Sequence, residues 1–231
     1  YGVRRYGFHG TSHRYVSRRC LELLGKPVGK GTRIISCHFG NGSSVTAIRD
    51  GRVIDTTMGL TPLDGFMMGT RSGAVDPSVV TYIMEKEGLT PRQMDELLNK
   101  QSGMLGISGV SSDDRDIAAA IEAGNERAKL AWDMRTYEII KYIGGYIVAL
   151  GGVDALIFTA GIGENQPTLR AEICNALSFY GVKLDAEKNK VHGEETEITT
   201  PDSSVRAFVI PTNEELVIAR DTQAIVEGRT L

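Results

Sequence analysis

The spacing of hydrophobic positions changes twice along this chain, and the changes predict three successive regions. The apolar run 34–39 and the runs 45–49 and 52–56, in which apolar and polar residues are mixed, are typical of strands. Asp50-Gly51, between the last two runs, predicts a two-residue hairpin. Apolar residues at helical spacing then continue to residue 150, after a glycine-rich irregular stretch. We therefore expect a strand meander followed by a helical region.

Capping residues and prolines predict where several helices begin. Thr11 or Ser12 is expected to cap a first helix, and Asp76-Pro77 and Thr90-Pro91 each predict the start of another. The small residues at 102–112 predict a loop. These signals divide the helical region into short segments.

The longest periodic segment, 125–150, predicts a single helix. Five of its apolar side chains are expected to face the core: Leu130, Met134, Tyr137, Ile140 and Ile147. For the last helix of the chain, Thr212 and Glu215 predict a capping box.

A second region with strands follows the long helix. The continuous apolar run 154–160 predicts a buried strand, which leads into a glycine turn at 161–165 and a helix from Pro167. A further strand is expected at 205–210. The order of elements predicts an α/β fold in which helices pack on a mixed sheet.

Composition excludes several classes of function. The 231 residues are 41% hydrophobic and 24% charged, with a net charge of −3, so the chain can bury a core and has no basic footprint for nucleic acid. No apolar run is long enough for a membrane span, and the first residues do not resemble a signal peptide. We expect a cytoplasmic protein. Cys20, Cys37 and Cys174 are too far apart for a metal motif and are expected to be reduced, buried thiols.

The turn after the first strand is a candidate phosphate site. Gly40, Gly42, Ser43 and Ser44 would let the backbone approach an anion and present amide N–H groups and hydroxyls to it. An ordinary tight turn is the alternative, because glycine-rich turns are common. The residues of the turn leave both interpretations open.

A dinucleotide-binding protein is a competing interpretation of the second glycine turn. Gly161-Ile162-Gly163 follows a buried strand, and Asp185 stands at the end of the next predicted strand, 182–184, as in a Rossmann fingerprint. Gln166 stands where that fingerprint requires its third glycine. The missing glycine and the late position in the chain argue against this class.

Five distinctive motifs occur in order along the chain: Tyr6-Gly7-Phe8-His9-Gly10-Thr11-Ser12-His13, His38 to Ser44, Gly69-Thr70-Arg71-Ser72-Gly73, Gly161 to Asn165, and Pro211-Thr212-Asn213-Glu214-Glu215. Together they resemble the acetate kinase family. The resemblance covers essentially the whole chain. It implies the ribonuclease H-like lobe of the actin and sugar-kinase superfamily, in which two related lobes close over ATP.

The resemblance also implies a domain organisation. Residues 1–214 would form the nucleotide-binding second lobe, and 215–231 a terminal helix that packs on the first lobe. That first lobe carries part of the acetate pocket and a catalytic aspartate, and nothing in this chain matches it. Because the chain begins at Tyr1 and not at Met, we expect it to start inside a longer protein.

Site residues follow from the same resemblance, position by position. Two of them, His9 and Arg71, match the residues that stabilise the transferring phosphoryl group. Glu214 matches the family's magnesium-associated glutamate. The nucleotide is assigned to His38, Phe39, Gly40, Asn41, Gly42, Ser43, Asp113, Asp114, Arg115, Gly161, Ile162, Gly163, Glu164 and Asn165.

Each assignment has a structural alternative. His9 and His13 are four residues apart and could form half of a zinc site, or His9 could simply pack beside Phe8. For Arg71 the alternative is a surface ion pair. Asp113 to Arg115 could be a solvated charge run, and an acidic Glu214 is favoured in a first helical turn by the dipole alone.

One position departs from the family pattern. Ala74 stands where an acidic residue is usual, which puts an ion pair near Arg71 in doubt.

The function that the resemblance implies is reversible transfer of the ATP γ-phosphoryl group to acetate, giving acetyl phosphate and ADP with Mg²⁺, by a homodimer. The alternatives are a propionate or butyrate kinase, since such substrates differ only by methylenes, and a nucleotide-binding module without catalysis. The chain alone, with only one lobe, is expected to bind ATP weakly and to be inactive.

Overall fold

The computed structural model describes residues 1–27 and 31–229, and the chain forms two compact units. The helical unit comprises Tyr1–Phe8, Gly40–Ser44 and Thr56–Gly144. The sheet unit comprises His9–Phe39, Val45–Asp55 and Gly145–Leu231.

Six strands form one mixed sheet, as the sequence predicts. They are β1 (Arg33–Phe39), β2 (Ser43–Arg49), β3 (Arg52–Thr56), β4 (Ala155–Thr159), β5 (Thr196–Glu197) and β6 (Arg206–Val209). Their order in the sheet is β3-β2-β1-β4-β6-β5. Strand β4 pairs in parallel with β1 and β6, and His38 is opposite Thr159 at the carboxyl ends of β1 and β4.

The Asp50-Gly51 hairpin between β2 and β3 is confirmed. Asp50 has φ 54° and Gly51 has φ 77°. Positive φ at both central residues is the geometry of a type I′ turn, whose twist matches that of the flanking strands.

Nine α-helices lie within the described residues. They are α1 (Gly10–Leu23), α2 (Pro77–Glu87), α3 (Pro91–Lys100), α4 (Gly103–Ser108), α5 (Asp114–Glu122), α6 (Glu126–Leu150), α7 (Ala160–Asn165), α8 (Pro167–Ala176) and α9 (Glu214–Val226). The predicted starts of α2 and α3 are confirmed: Asp76 accepts from the Ser78 amide, and Thr90 forms a capping box with Gln93.

Two expectations about helix ends are wrong. His9, in a left-handed conformation, precedes α1, and neither Thr11 nor Ser12 caps it. Asn213, not Thr212, caps α9 by accepting from the Leu216 amide.

The expected loop at 102–112 contains the helix α4. Its early amide groups, on Met104 and Leu105, donate to the carbonyl oxygens of Met68 and Gly69 at 2.9 Å. A neighbouring backbone segment therefore satisfies donors that a short helix leaves unpaired.

The face of α6 that the sequence assigned to the core is mostly exposed. Leu130, Met134 and Tyr137 are exposed by 40–64%, whereas Ile147 is buried. The buried face instead carries Ala128, Ala131, Trp132, Arg135, Ile139 and Ile143. Trp132 and two isoleucines share this face with two alanines and an ion-paired arginine, a mixture that a purely hydrophobic pattern does not reveal.

The core of the sheet unit lies between α1 and the sheet. Val16, Cys20 and Leu21 of α1 pack with Ile34, Ile157 and Phe208 of the central strands. This packing places the amino end of α1, and therefore His9, next to the central strands.

Helix α9 packs on α1 within the sheet unit, where Arg14 forms an ion pair with Asp221. Val217 is buried, and Ile218 and Ile225 are exposed by about 60%. That residues 215–231 contact a further lobe stays a prediction.

The three cysteines are free and buried, as predicted. Burial raises the pKa of the Cys20 and Cys174 thiols to about 12, so they remain protonated at neutral pH. Within residues 1–27 and 31–229, no helix combines the length and the hydropathy that crossing a bilayer requires.

Candidate functional site

The glycine turn at Gly40–Ser44 is held by a weak acceptor in the helical unit. Its Ser43 hydroxyl donates to the Gly40 carbonyl oxygen at 2.9 Å, and the Ser43 amide points to the sulfur of Met68 at 3.4 Å. A thioether is a poor hydrogen-bond acceptor. The Ser43 amide would therefore form a stronger hydrogen bond with an anionic oxygen than with this sulfur.

Gly69 brings three of the predicted segments together. A Cβ atom at Gly69 would lie 3.0 Å from Asn41 Oδ1 and 3.1 Å from the carbonyl oxygen of Ser112. Only a residue without a side chain allows this approach without displacing a neighbour. The glycine turn, the stretch that contains Arg71 and the segment before Asp113 are thus neighbours.

Arg71 forms no ion pair with any residue in the described parts of the chain. Its guanidinium lies 3.4 Å from the Pro62 carbonyl oxygen and 3.8 Å from Met68 Sδ. The surface ion pair considered for Arg71 is therefore absent there. Because the Ser43 amide also points at Met68 Sδ, two donors converge on one weak acceptor, an arrangement suited to binding an anion.

The three charged residues at the start of α5 have two different environments. Asp113 caps the helix and forms a two-point ion pair with Arg115, at 3.0 and 2.6 Å, which lowers the Asp113 pKa to about 2. Asp114 instead pairs with Arg135 at 2.5 and 2.9 Å, and both side chains are 7% exposed or less. Asp113 and Arg115 remain accessible to a ligand, whereas Asp114 is engaged in the core.

Three histidines cluster at the amino end of α1 in the sheet unit. The rings of His9 and His38 stack with centroids 3.9 Å apart and planes 14° apart. Nδ1 of His38 is 2.9 Å from Ser12 Oγ, and Nδ1 of His13 is 2.8 Å from Ser36 Oγ. Burial lowers the pKa of His13 and of His38 to about 3, so both rings are neutral at pH 7.

Backbone strain marks two of the predicted site segments. Among the described residues, the non-glycine residues with positive φ are His9 at 57°, Asp50 at 54° and Ala160 at 64°. The hairpin accounts for Asp50. Strained residues persist where their surroundings enforce them, often at functional sites. His9 is a predicted phosphoryl residue, and Ala160 directly precedes the predicted adenosine segment.

The predicted glycine turn at 161–165 is a short helix, α7, braced by Glu164. The Glu164 carboxylate accepts from the amides of Ala160 at 2.8 Å and Thr212 at 3.3 Å. Asn165 donates its side-chain amide to the Gly161 carbonyl oxygen. Glu164 thus joins the end of β4 to the segment before α9.

The two glycines of α7 differ in their surroundings. A Cβ atom at Gly163 would lie 3.3 Å from the Phe158 backbone, so Gly163 lets α7 pack closely on β4. Gly161 has open space where its Cβ would be. Gly161 is therefore the glycine of the pair that leaves room for a ligand.

Arg170, which the sequence did not indicate as important, holds α7 from behind. It is fully buried. Its guanidinium donates to the Gly163 carbonyl oxygen, to the Asn189 side chain and to the carbonyl oxygens of Asn189 and Val191, at 2.6–2.9 Å. Burial lowers its pKa to about 10, which leaves it cationic at neutral pH.

The residues present fit a magnesium ion carried mainly by a ligand. In the described parts of the chain, no three or more His, Cys, Asp or Glu side chains form a metal cluster. Mg²⁺ commonly keeps several waters and binds substrate phosphates with one or two carboxylates. Glu214 begins α9, and Thr212 Oγ1, two residues earlier, is buried without a hydrogen-bond partner in the described structure. This segment therefore has a carboxylate and a spare hydroxyl for a hydrated ion.

Sequence reasoning missed Ser12, Met68 and Arg170. Each of the three makes a tertiary contact with a residue that sequence reasoning did identify. Ser12 contacts His38, Met68 contacts Ser43, and Arg170 contacts Gly163. Their own residue types gave no signal.

The sequence of the chain was compared with models of known protein families. A model described as the acetokinase family matches residues 1–220. The chain belongs to the acetokinase family. The acetate kinase of Dictyoglomus turgidum is 61% identical over 226 residues, which are 98% of this chain and 56% of that protein. The acetate kinase of Phocaeicola vulgatus is 62% identical, with the same coverage. The chain spans about half the length of the curated relatives it matches.

Solved structures of the family have the same fold. Acetate kinase from Porphyromonas gingivalis superposes with a TM-score of 0.94 at 54% identity, over 97% of this chain and 56% of that one. A propionate kinase from Francisella tularensis gives a TM-score of 0.87 at 43% identity and covers 95% of this chain and 55% of its own. Acetate kinase from Entamoeba histolytica gives a TM-score of 0.88 at 37% identity and covers 95% of this chain and 57% of its own. The predicted α/β fold of the actin-like superfamily is confirmed.

Proposed function

We propose that the protein containing this chain is an acetate kinase that transfers the γ-phosphoryl group of ATP reversibly to acetate. A carboxylate oxygen of acetate forms a bond to the γ-phosphorus as the bond to the bridging oxygen of ADP breaks. The electron pair of that bond leaves with ADP. The products are acetyl phosphate and ADP.

One observation in the structure of this chain carries the proposal. Ser43 and Arg71, from two segments of the helical unit, point their N–H donors at a single weak acceptor, Met68 Sδ. Family membership gives the reaction class, and this convergence supports an anion-binding role for these particular residues. Such donors suit a transferring phosphoryl group, whose charge is spread over its oxygens.

The other assigned residues have complementary roles. His9 would stabilise the transferring group together with Arg71. The turn that includes Asn41 would hold the nucleotide phosphates, Gly161 to Asn165 the adenosine, and Asp113 and Arg115 a further part of the nucleotide. Glu214 would orient a hydrated Mg²⁺, which when bound neutralises charge on the phosphate oxygens.

The acyl group is the least determined part of the substrate. A family member whose structure is similar to this chain is described as a propionate kinase, and one methylene in an apolar pocket changes binding by only about 1–3 kcal/mol. We propose acetate because the curated relatives that are 61% and 62% identical are acetate kinases. A cytoplasmic homodimer is part of the same proposal.

Trapping acetyl phosphate with hydroxylamine tests the reaction. We expect the full-length protein to form acetyl hydroxamate from acetate and MgATP, more rapidly than propionyl or butyryl hydroxamate at equal subsaturating acid. The chain of 231 residues should bind MgATP without forming hydroxamate, because one lobe alone cannot position acetate or exclude water.

Two outcomes would contradict the proposal. Absence of every acyl hydroxamate from the folded full-length protein would leave only a nucleotide-binding module. Faster turnover of propionate or butyrate than of acetate would make the protein a kinase for the longer acid.

A further inference from the structure

We propose that Ser12 is a positioning residue that holds His9 through the intervening ring of His38. The Ser12 hydroxyl sets the orientation of the His38 imidazole, and the face of that imidazole supports the His9 ring. Only the catalytic importance of His9 rests on the proposed function. The arrangement of the three side chains is a separate claim.

The contacts form a continuous chain within the sheet unit. Ser12 is fully buried, and its Oγ lies 2.9 Å from Nδ1 of His38. His38, 8% exposed, stacks on His9 at 3.9 Å with nearly parallel rings. A hydrogen bond to one ring nitrogen fixes an imidazole in its plane, and stacking then restricts rotation of the second ring.

The backbone explains why His9 benefits from such support. His9 occupies the N-cap position of α1 with φ 57°, a left-handed conformation that residues other than glycine rarely adopt. Ser12, in the first turn of the same helix, directs its hydroxyl to β1 instead of capping. The first turn of α1 thus holds His9 indirectly, by way of His38.

The hydrogen bond from Ser12 fixes the plane of the His38 ring in either tautomer. A neutral imidazole has one N–H and one acceptor nitrogen, and a hydroxyl can pair with either of them at Nδ1. Because burial lowers the pKa of His38 to about 3, the ring adds no positive charge beside His9 at neutral pH. Removing the hydroxyl would release the ring plane.

The chain contains a matched control for this inference. Ser36 is also fully buried, and its Oγ lies 2.8 Å from Nδ1 of His13. His13 lies edge-on to His9, with ring centroids 6.3 Å apart, and is not stacked on it. Ser36→Ala therefore removes the same kind of hydrogen bond from a neighbouring histidine that does not support the His9 ring face.

Nitrogen NMR of the histidine rings tests the arrangement without any activity. In the ¹⁵N-labelled chain, Ser12→Ala should shift the ring nitrogen signals of His38, through the lost hydrogen bond, and those of His9. Ser36→Ala should change His13 and leave His9 close to wild type. An unchanged His9 in Ser12→Ala, or equal His9 shifts in both variants, would overturn the proposal. Should Ser12→Ala not fold, Ser12→Cys retains the volume with a weaker donor and takes its place.

Kinetics of the full-length protein test the consequence. We expect Ser12→Ala to lower kcat about tenfold or more with little change in the KM for ATP, because a displaced catalytic group affects the transition state most. Ser12→Thr, which retains a hydroxyl, should restore most of kcat. A kcat for Ser12→Ala equal to that of Ser36→Ala would contradict the positioning role. Wild-type protein without kinase activity would refute the proposed function and leave the NMR result standing.

Discussion

Arg71→Ala is expected to lower kcat of the full-length kinase by about a thousandfold, the lower end of the range for an arginine that stabilises phosphoryl transfer. The guanidinium forms no ion pair in the described parts of the chain and reaches only the Pro62 carbonyl oxygen and the Met68 sulfur. Its removal therefore breaks no salt bridge, so folding should be preserved. Steady-state kinetics with acetate and MgATP would measure the loss.

Two further variants separate this role from a general effect of charge. Arg71→Lys retains the charge without the planar fork and should recover only a small part of kcat. Arg92→Ala removes an exposed arginine on α3, in the same unit, and should leave kcat unchanged. Losses of similar size in Arg71→Ala and Arg92→Ala, or a loss confined to thermal stability, would refute the catalytic assignment.

Arg170→Met is expected to give the largest loss of stability, about 3 kcal/mol or more in the free energy of unfolding of the sheet unit. The fully buried guanidinium donates to four acceptors, among them the carbonyl oxygens of Gly163 and Val191. A thioether chain fills a similar volume but satisfies none of them, and unsatisfied buried carbonyl groups destabilise the folded state. Urea unfolding of the chain would measure the change.

Arg127→Met is the matched control for this loss. Arg127 also donates to backbone carbonyl oxygens, of Ile107 and Gly106, but it is exposed. Water can replace its bonds, so the loss should stay near about 0.5 kcal/mol. Equal losses of unfolding free energy in the two variants would show that burial of the Arg170 hydrogen bonds does not increase their contribution to stability.

Local signals in the sequence predicted the parts of the fold that local chemistry determines. Asp50-Gly51 specifies its own hairpin, and Asp76 and Thr90 cap their helices through bonds to residues two or three positions away. The central strand β4 was predicted because both its faces are buried and its residues from Ala155 to Phe158 are all apolar. In each case the stabilising partner lies close in the sequence or the burial is complete.

The failures share a tertiary cause. Arg135 belongs to the buried face of α6 because Asp114 neutralises it, and no hydrophobic pattern can anticipate that pair. The segment 103–108 is helical because Met68 and Gly69 accept bonds from its first turn.

The residues of the candidate site also fall into those that local motifs identify and those that only tertiary contacts identify. Motifs identified His9, Arg71 and the turn that includes Asn41, whereas the supporting Ser12 and Met68 required the folded structure.

The central claim is that the turn Gly40–Ser44 holds the phosphates of the nucleotide. Amide NMR of the ¹⁵N-labelled chain titrated with MgADP tests it most directly, with Gly69→Ala, whose new Cβ would lie 3.0 Å from Asn41 Oδ1, as the variant that perturbs the turn. We predict that the largest shift changes fall on Gly40 to Ser44 and on Gly161 to Asn165, and that Gly69→Ala weakens the binding. Saturable binding that leaves the amides of Gly40 to Ser44 unshifted would contradict the claim.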